Sequence, residues 1–226
     1  MEASRWDARY AGDAFFYGDA PNDWLVSMER HLPRNGAVLC LAEGEGRNAV
    51  FLAQRGHAVT AVDLSPVGVA KTLALAAARG VAVDARVGDL ATFEIAPGAW
   101  DAVVSIWAHV PRPLRAALHA AVAAGLRPGG ALVFEAYHPR QLDLVRAGTA
   151  KGGPPTADLL AVARDVAAEL AGLDIVVAAE RDRDVREGSG HAGVSAVTQV
   201  LAVKPRAGAV GAAAALGWNS AGGENC

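Results

Sequence analysis

Short apolar runs alternate with amphipathic stretches along this chain. The run Val38-Leu39-Cys40-Leu41 predicts a buried strand, and a second apolar run ends at Asp63. Ser65 followed by Pro66 predicts the start of a helix, and Gly80 predicts its end. Further along, apolar residues at helical spacing form one face that we interpret as core packing: Leu114, Ala117, Leu118, Ala121 and Val122. This alternation predicts an open, mostly parallel α/β sheet.

The last third of the chain is less regular. The segment 151–155, Lys-Gly-Gly-Pro-Pro, excludes regular structure, and a helix is predicted from about Ala157 to Ala171. Two further strands, Ile175 to Glu180 and Ala196 to Val203, enclose a polar loop from Arg181 to Gly193 and are predicted to pair antiparallel. If the first of them runs parallel to the rest of the sheet, the loop lies at its carboxyl edge, where open α/β folds bind ligands.

A glycine turn after the first predicted strand is the clearest candidate for chemistry. Gly44 and Gly46 allow a sharp turn and a close approach of backbone to ligand, since neither has a Cβ. The segment from Gly44 to Ala49 fits the G-x-G-x-x-[G/A] fingerprint of dinucleotide-binding folds. Asp63, at the end of the second strand, is placed to accept hydrogen bonds from ribose hydroxyls. A nucleotide-type cofactor is therefore predicted.

The charges beside this turn distinguish two cofactor classes. Glu43 and Glu45 flank Gly44. A dinucleotide brings an anionic pyrophosphate to such a turn and depends on unopposed backbone N–H groups. Two carboxylates would repel that group but would suit the ammonium and sulfonium of S-adenosylmethionine. No Tyr-x-x-x-Lys pair is present, which also argues against a nicotinamide-dependent oxidoreductase.

From about Trp6 to Lys204 the sequence resembles the class I S-adenosylmethionine-dependent methyltransferases. The glycine turn is followed by Val62-Asp63-Leu64-Ser65, by Val87-Gly88-Asp89-Leu90, by the strand 100–106 and by the segment 126–134. The resemblance implies a Rossmann-like, doubly wound, seven-stranded α/β sheet that is mostly parallel and ends in an antiparallel hairpin. It also implies S-adenosyl-L-methionine as the cofactor and S-adenosyl-L-homocysteine as its product.

The same resemblance implies the cofactor contacts. Asp63 holds the ribose diol, Asp89 receives the adenine amino group with Leu90 beside it, and the segment from Ser105 to Trp107 lies along the cofactor. The full set of implied cofactor-binding residues is Tyr17, Glu43, Gly44, Gly46, Arg47, Asn48, Asp63, Leu64, Gly88, Asp89, Leu90, Ser105, Ile106 and Trp107.

The turn departs from the usual D-x-G-x-G-x-G pattern of that family. Cys40 occupies the acidic position, Ala42 occupies the first glycine position, and Glu43 carries the carboxylate. Alanine tolerates fewer backbone conformations than glycine, so the turn is expected to differ slightly from the common one. Glu43 is expected to reach the ammonium group directly or through water.

The N-terminal segment, residues 1–35, is interpreted as a lid or cap. Trp6 and Tyr10 lie four residues apart on a predicted helix and are expected to pack on the sheet. The resemblance places Phe16-Tyr17-Gly18 across the methionine end of the cofactor. The pattern W-D-x-R-Y at 6–10 and the short chain are similar to the tellurite-resistance and thiopurine methyltransferases. Candidate substrate residues are Phe16, Trp24 and His138.

Candidate catalytic residues follow the predicted strands or lie in the final loop. His109 follows the fourth strand, Tyr137 and His138 follow the fifth, and His191 lies in the loop of the last hairpin. A hydroxyl or amine acceptor would use His109 or His191 as a general base, whereas a thiolate, selenide or telluride arrives ready to react. The histidine spacing matches no common zinc pattern, so no metal is predicted.

Composition narrows the partners and the location. The 226 residues are 52% hydrophobic with a formal net charge of −3, and the pI is about 6.1. No basic surface for nucleic acid is expected, and no apolar run approaches the roughly 18 residues of a membrane span. With no signal pattern and poorly placed cysteines, a cytoplasmic monomer or homodimer is expected. Residues 1–205 are interpreted as one methyltransferase domain, and the Ala/Gly-rich segment 206–226 as a mobile tail.

Three functions remain open from the sequence. The first is methyl transfer from S-adenosylmethionine to a small-molecule acceptor, with a thiol, a chalcogen anion or an aromatic compound favoured. The second is an NAD(P)-dependent oxidoreductase that uses the same glycine turn. The third is a non-catalytic S-adenosylmethionine-binding protein, because a binding site can outlast its chemistry.

Overall fold

The computed structural model describes residues 3–206; the predicted tail lies outside the described residues except for Arg206. The helices are α1 Ala3–Tyr10, α2 Asp23–Met28, α3 Arg47–Gln54, α4 Pro66–Ala78, α5 Arg112–Gly125, α6 Gln141–Arg146 and α7 Ala163–Glu169. The strands are β1 Ala37–Leu41, β2 Ala58–Asp63, β3 Asp84–Val87, β4 Trp100–Ile106, β5 Leu126–Tyr137, β6 Ala150–Lys151, β7 Asp174–Glu187 and β8 His191–Val203. Short 3₁₀ helices cover Glu29–His31 and Ala157–Leu159.

One sheet organises these elements. Strands β3, β2, β1, β4 and β5 lie side by side in that order and are parallel. Strand β8 is antiparallel to β5, and β7 is antiparallel to β8, so β7 runs parallel to the first five strands. The predicted Rossmann-like sheet with an antiparallel C-terminal hairpin is confirmed. The structure adds the two-residue β6, which pairs with the beginning of β8.

The final hairpin is longer than predicted. Register pairs continue from Arg181↔Val197 to Glu187↔His191, so most of the predicted loop is paired strand and only three residues form the turn. Arg181-Asp182-Arg183-Asp184 has the polarity of a loop, but Val185 and Glu187 are buried at alternate positions, as in a half-exposed strand. His191 is therefore the first residue of β8 and is buried, which corrects its predicted place in a loop.

The helix predicted from Ala157 to Ala171 is also wrong in its first half. The 3₁₀ turn Ala157–Leu159 is separated from α7 by an extended segment. Within that segment the Ala161 N–H donates to the Tyr137 carbonyl at 2.9 Å, and the Thr198 hydroxyl donates to the Ala161 carbonyl at 2.7 Å. These bonds to β5 and β8 hold the backbone out of the helical conformation.

Other helix ends match the prediction. The Ser65 side chain accepts a hydrogen bond from the Gly68 N–H at the start of α4, with Pro66 as the first helical residue. Gly80 follows the end of α4 with φ +68°. Among residues 3–206, no helix has both the length and the apolar character needed to cross a bilayer.

Both faces of the sheet are covered. Side chains from α2, α3 and α4 pack on one face, and side chains from α5 and α7 pack on the other. Trp24 belongs to the first of these layers, together with Leu25 and Met28, and is 6% exposed. Trp24 is therefore a core residue, because α2 turns its indole toward the sheet; this corrects its assignment as a substrate candidate. Cys40 is a buried free thiol in β1.

Candidate active site

A cavity of about 470 Å³ opens at the carboxyl edge of the sheet. Its floor is formed by the glycine turn after β1 and by the residues that follow β2, β3 and β4. Its other walls are α1 and the N-terminal segment, the turn of the final hairpin and the segment 151–155. The predicted cofactor residues in the wall are Tyr17, Glu43, Gly44, Arg47, Asn48, Asp63, Leu64, Gly88, Asp89, Leu90, Ile106 and Trp107.

Gly46 and Ser105 are not in that wall. Gly46 begins α3 with φ +93°, and a Cβ there would lie 2.7 Å from the Thr72 Cα, so its role is to let α3 pack against α4. Ser105 is buried in β4 and faces a separate cavity of about 10 Å³ on the α5 side of the sheet. Side chains alternate between the faces of a strand, which carries Ser105 away from the cofactor site.

The glycine turn keeps a glycine-like backbone even where alanine replaces glycine. Ala42 has φ +50°, in the left-handed region, and Gly44 has φ +67°. Ala42 therefore holds a left-handed conformation that is strained for alanine and free of strain for glycine. The expected difference from the common turn stays a prediction. A Cβ on Gly44 would lie 2.9 Å from the Tyr10 hydroxyl, so Gly44 is required for space as well as for conformation.

We call the part of the cavity lined by the glycine turn, Asp63 and Asp89 the cofactor half. Asp63 is its central hydrogen-bond acceptor. Its Oδ2 accepts from the Gly44 N–H and its Oδ1 accepts from the Ser65 N–H, both at 2.8 Å. Burial raises the pKa of the Asp63 carboxyl, although these backbone bonds oppose that shift. Each carboxylate oxygen retains a lone pair, so Asp63 can still accept from two ribose hydroxyls.

Glu43 caps a helix. Its Oε1 accepts from the Asn48 N–H at 2.9 Å and from the Ala49 N–H at 2.8 Å, the second and third amides of α3. Burial raises the pKa of the Glu43 carboxyl to about 7. A pyrophosphate would need these same N–H groups. The glycine turn is thus unsuited to a dinucleotide, and contact between Glu43 and the cofactor ammonium stays a prediction.

Glu45 has a different role from the one predicted. Its Oε1 lies 2.7 Å from the Lys71 ammonium, and its Oε2 accepts from the Phe16 N–H at 2.7 Å. Lys71 also donates to the carbonyls of Tyr10, Gly12 and Ala14. The charge of Glu45 is therefore neutralised, and it fastens the N-terminal segment over the glycine turn. Of the two predicted anionic charges, only that of Glu43 is unpaired with a cation in the described structure.

The end of the cavity that is predicted to hold the adenine is more exposed. Gly88, Asp89 and Leu90 line the cavity after β3, as predicted. Asp89 is exposed, and its Oδ1 accepts from the Ala91 N–H at 2.9 Å. Its Oδ2 has no hydrogen-bond partner among the described residues, which leaves an acceptor for an exocyclic amino group.

We call the part of the cavity lined by Phe16, Tyr17, Trp107 and His191 the acceptor half. Its walls are largely aromatic. Trp107 follows β4 with φ +58°, and its ring stacks on Tyr137 at 4.3 Å between centroids. Tyr17 lies 4.5 Å from the His191 ring, and Phe16 also lines the cavity. Tyr137 is fully buried outside the cavity wall, so this candidate catalytic residue supports Trp107 and does not face the site.

His191 lines the cavity and forms a dyad with Glu187, which lies behind it and does not line the cavity. Its Nδ1 lies 2.8 Å from Glu187 Oε2, which also accepts from Trp107 Nε1 at 2.7 Å and pairs with Arg47 Nη2 at 2.8 Å. Burial would raise the pKa of Glu187, but His191 and Arg47 lower it to about 2. Burial lowers the pKa of His191, partly offset by Glu187. At neutral pH the pair is a carboxylate and a neutral imidazole.

His109 is the second neutral imidazole of the site. Its Nδ1 lies 3.1 Å from the Leu159 carbonyl, whereas its Nε2 is buried without a hydrogen-bond partner in the described structure. Burial lowers the pKa of His109 to about 4. With Nδ1 donating to Leu159, the lone pair of Nε2 remains available.

His138 is not brought into the site. Its Nε2 lies 3.2 Å from Glu180 Oε2, and its Nδ1 accepts from the Arg140 N–H. The chain turns into α6 directly after β5, which directs this side chain to the outer side of the hairpin. Its assignment as a substrate candidate is corrected.

A buried polar network lies behind the dyad. Asn22 donates from Nδ2 to Glu135 at 2.9 Å and to Glu187 at 3.0 Å, and Arg183 contacts Glu135 at 2.6 Å. The Asn22 N–H donates to Asn48 in α3. This network joins the N-terminal segment, α3, β5 and the hairpin, and it fixes the position of Glu187.

Sequence reasoning missed several wall residues. Trp6, Arg9 and Tyr10 line the cavity, because α1 packs on α4 and presents this face to the site. The preference for packing on the sheet was wrong for Trp6 and Tyr10. The W-D-x-R-Y pattern at residues 6–10 is the sequence feature that could have identified these three wall residues. Glu187, which contacts the wall residue His191, was missed because the segment from Arg181 to Gly193 was predicted to be a loop.

Comparisons with known proteins indicate a methyltransferase domain. A family profile described as a methyltransferase domain matches residues 38–130. No curated protein matches the chain in sequence. A solved structure from work on the conversion of a disulfide bond into a thioacetal group during echinomycin biosynthesis is 23% identical, with a TM-score of 0.71, 90% of this chain covered and 92% of that one.

Two further structures have the same fold. TehB from Haemophilus influenzae is 15% identical with a TM-score of 0.63, and the match covers 89% of this chain and 66% of TehB. Magnesium protoporphyrin IX methyltransferase from Synechocystis PCC 6803, solved with bound S-adenosylhomocysteine, is 20% identical with a TM-score of 0.57. That match covers 89% of this chain and 82% of the other. The profile match and the sheet order together identify the part of the chain from residue 38 to residue 130 as a methyltransferase domain with the Rossmann-like fold of S-adenosylmethionine-dependent enzymes.

Proposed function

We propose that this enzyme methylates a thiol or a phenolic hydroxyl of a small molecule, with His191 as the general base. The observation that carries the proposal is the 2.8 Å contact between His191 Nδ1 and Glu187 Oε2, which orients the imidazole of His191 in the wall of the acceptor half. A methyl acceptor that still carries its proton needs such a base.

The dyad has the arrangement that proton abstraction requires. With Nδ1–H donated to Glu187, the lone pair of His191 lies on Nε2. Glu187 remains ionised because its pKa is about 2, so it stabilises the imidazolium formed when Nε2 takes a proton. Trp107 and Arg47 fix the carboxylate, and the carboxylate fixes the imidazole.

The remaining work of the protein is positioning. When bound, S-adenosylmethionine supplies an electrophilic methyl group on a sulfonium. Asp63, Asp89 and the Gly44 turn would bind its nucleoside and amino-acid parts. Alignment of the two reactants is worth several kcal/mol, roughly 7–11 in the best cases. The aromatic rings of Tyr17 and Trp107 suit a positively charged sulfonium and exclude water from it.

A small acceptor fits the enclosure. The cavity of about 470 Å³ must hold both cofactor and acceptor, and the N-terminal segment and the hairpin turn cover the acceptor half. Their contact is tight, since the Ser189 N–H donates to the Phe16 carbonyl at 2.9 Å. A sulfur acceptor has additional support from the fold shared with the structure that concerns conversion of a disulfide bond into a thioacetal. A monomer or homodimer remains our expectation.

The test uses methyl-labelled S-adenosylmethionine and a panel of thiols, phenols, amines and chalcogen anions. We expect label in a thiol or phenol, and we expect His191→Ala to lower kcat about 10²–10⁴-fold while cofactor affinity is unchanged. His138→Ala is the matched control, because this histidine lies outside the cavity. If His191→Ala methylates every acceptor as fast as the wild type, His191 is not the base.

A further inference from the structure

We propose that the acceptor carries an anionic group, a carboxylate or another oxyanion, that binds Arg9 and Lys151 at the mouth of the acceptor half. The inference rests on the proposed function, since it names the class of molecule that the site methylates. Arg5, one turn before Arg9 on α1, also lines the cavity and adds to the same positive field.

Arg9 is held in place with most of its donors free. Its Nη1 donates to the Tyr17 hydroxyl at 2.8 Å, and its guanidinium lies 4.8 Å from the Trp6 ring and 5.2 Å from the Phe16 ring. A guanidinium has five N–H donors, and no other hydrogen bond from Arg9 is formed within residues 3–206. A rigid, half-buried fork of this kind matches a carboxylate.

Lys151 is the second cation of this part of the cavity. It is the last residue of β6 and precedes Gly152, where a Cβ would lie only 2.6 Å from His191 Cδ2. The backbone beside Lys151 thus touches the proposed base. Lys151 lines the cavity and forms no ion pair with any residue between 3 and 206.

The acidic residues of the cavity do not neutralise these cations. Glu45 is paired with Lys71, and Glu187, which does not line the cavity, is paired with Arg47. The remaining carboxylates of the wall, Glu43, Asp63 and Asp89, follow β1, β2 and β3 in the cofactor half and accept from backbone N–H groups. The acceptor half therefore has an excess of positive charge before any ligand binds.

The geometry also sets the reach of the acceptor. Tyr17 lies between Arg9 and the proposed base His191, with its hydroxyl 2.8 Å from Arg9 Nη1 and its ring centroid 4.5 Å from that of His191. An acceptor bound beside Tyr17 would span a similar distance. The anion and the methylated sulfur or oxygen should therefore be separated by about one aromatic ring.

Two acceptors of the same shape test this inference: para-mercaptobenzoate and para-thiocresol. We expect the wild type to prefer the benzoate in kcat/KM, and we expect Arg9→Gln and Lys151→Gln each to lower the benzoate-to-cresol ratio about tenfold, as for loss of a hydrogen bond to a charged group. Arg164→Gln, an exposed arginine on α7, is the matched control and should leave the ratio unchanged. Equal use of both thiols by the wild type would overturn the proposal.

A binding measurement separates this inference from the proposed function. Benzoate, which has no sulfur to methylate, is titrated calorimetrically into the protein saturated with S-adenosylhomocysteine. We expect binding that Arg9→Gln weakens about tenfold and that added salt weakens further. If benzoate binds in this way but no thiol or phenol is methylated, the anion site stands and the proposed function fails. If thiols are methylated while benzoate fails to bind, the function stands and the anion site fails.

Discussion

The two halves of the cavity are built in different ways. The cofactor half comes from residues that follow β1, β2 and β3, where the order of the strands alone places them together. The acceptor half comes from α1, the end of β4, the segment after β6 and the final hairpin, which are distant in sequence. Its residues meet only through tertiary contacts, such as Glu187 with Arg47 and Phe16 with Ser189.

This difference predicts that substitutions in the two halves have separable effects. In the cofactor half they should change affinity for S-adenosylmethionine, whereas in the acceptor half they should change turnover and leave that affinity intact. The parallel strands fix the first half to the sheet. The second half depends on buried charges that hold a hairpin and an N-terminal segment against each other.

Asp63→Ala should have the largest effect. We expect loss of the ribose acceptor and of the Gly44 contact to weaken cofactor affinity at least about 100-fold, since each hydrogen bond to a charged group is worth roughly 1.5–3 kcal/mol. Isothermal titration with S-adenosylmethionine measures it, with circular dichroism to verify the fold. Asp84→Ala, on the exposed strand β3, is the control and should bind normally. Unchanged affinity of Asp63→Ala would contradict its role.

Glu187→Gln should affect the acceptor half. It removes the anion shared by Arg47 and His191, so we expect kcat to fall by about 10²-fold or more and cofactor affinity to stay within a few-fold of the wild type. Breaking this buried pair should also lower the free energy of unfolding by about 3 kcal/mol. Steady-state kinetics and urea denaturation measure the two effects.

Glu94→Gln provides the comparison for that variant. Glu94 is exposed, and the same isosteric change there should alter neither kcat nor the urea midpoint. If Glu187→Gln lowers stability but leaves kcat unchanged, Glu187 is a structural residue and the two halves are less distinct than we infer.

The cofactor half was largely predictable because its signals are local. Gly44 and Asp63 come at or just after the ends of apolar runs, and Asp89 follows Val87-Gly88. A strand followed by a turn places such residues at the carboxyl edge of a parallel sheet. What the local pattern could not give is the partner of each charge. Glu45 looked like a second anion at the site, but Lys71, 26 residues away, neutralises it.

The acceptor half was predictable only in its residue types. His109 and His191, predicted as catalytic candidates, line the cavity, and their catalytic role stays a prediction. Trp24 and His138 do not line it, since the direction of a side chain depends on how α2 and α6 pack. Glu187 lies in a polar run that has the composition of a loop. Only its alternation with Val185 in a long paired strand reveals it as buried.

A titrating group in each half should also change the stability of the fold with pH, and the two changes should have opposite signs. Glu43 has a pKa of about 7 in the folded protein against an ordinary 4.5, so the folded state keeps a proton that the unfolded chain loses, and stability from this group falls as pH rises between them. His109 has a pKa of about 4 against 6.5, so its contribution is present above pH 6.5 and is lost as pH falls toward 4.

Urea denaturation at about pH 5 and pH 7 separates these contributions, each worth about 2 kcal/mol over that interval. Relative to the wild type, the stability of Glu43→Gln should rise more steeply with pH, whereas that of His109→Gln should rise less or fall. His138→Gln is the control histidine. The same pH dependence in all four proteins would show that neither Glu43 nor His109 is perturbed as inferred.

Ala42→Gly should have the smallest effect and is the most direct test of the turn. Ala42 has φ +50°, where glycine has no steric penalty, so relief of strain of about 1 kcal/mol is opposed by the larger entropy of glycine in the unfolded chain. We expect a net stabilisation below about 1 kcal/mol and unchanged cofactor affinity. Ala74→Gly, at an exposed helical position in α4, should instead destabilise by about 1 kcal/mol. If both variants lose stability equally, the left-handed conformation of Ala42 stores no strain that glycine relieves.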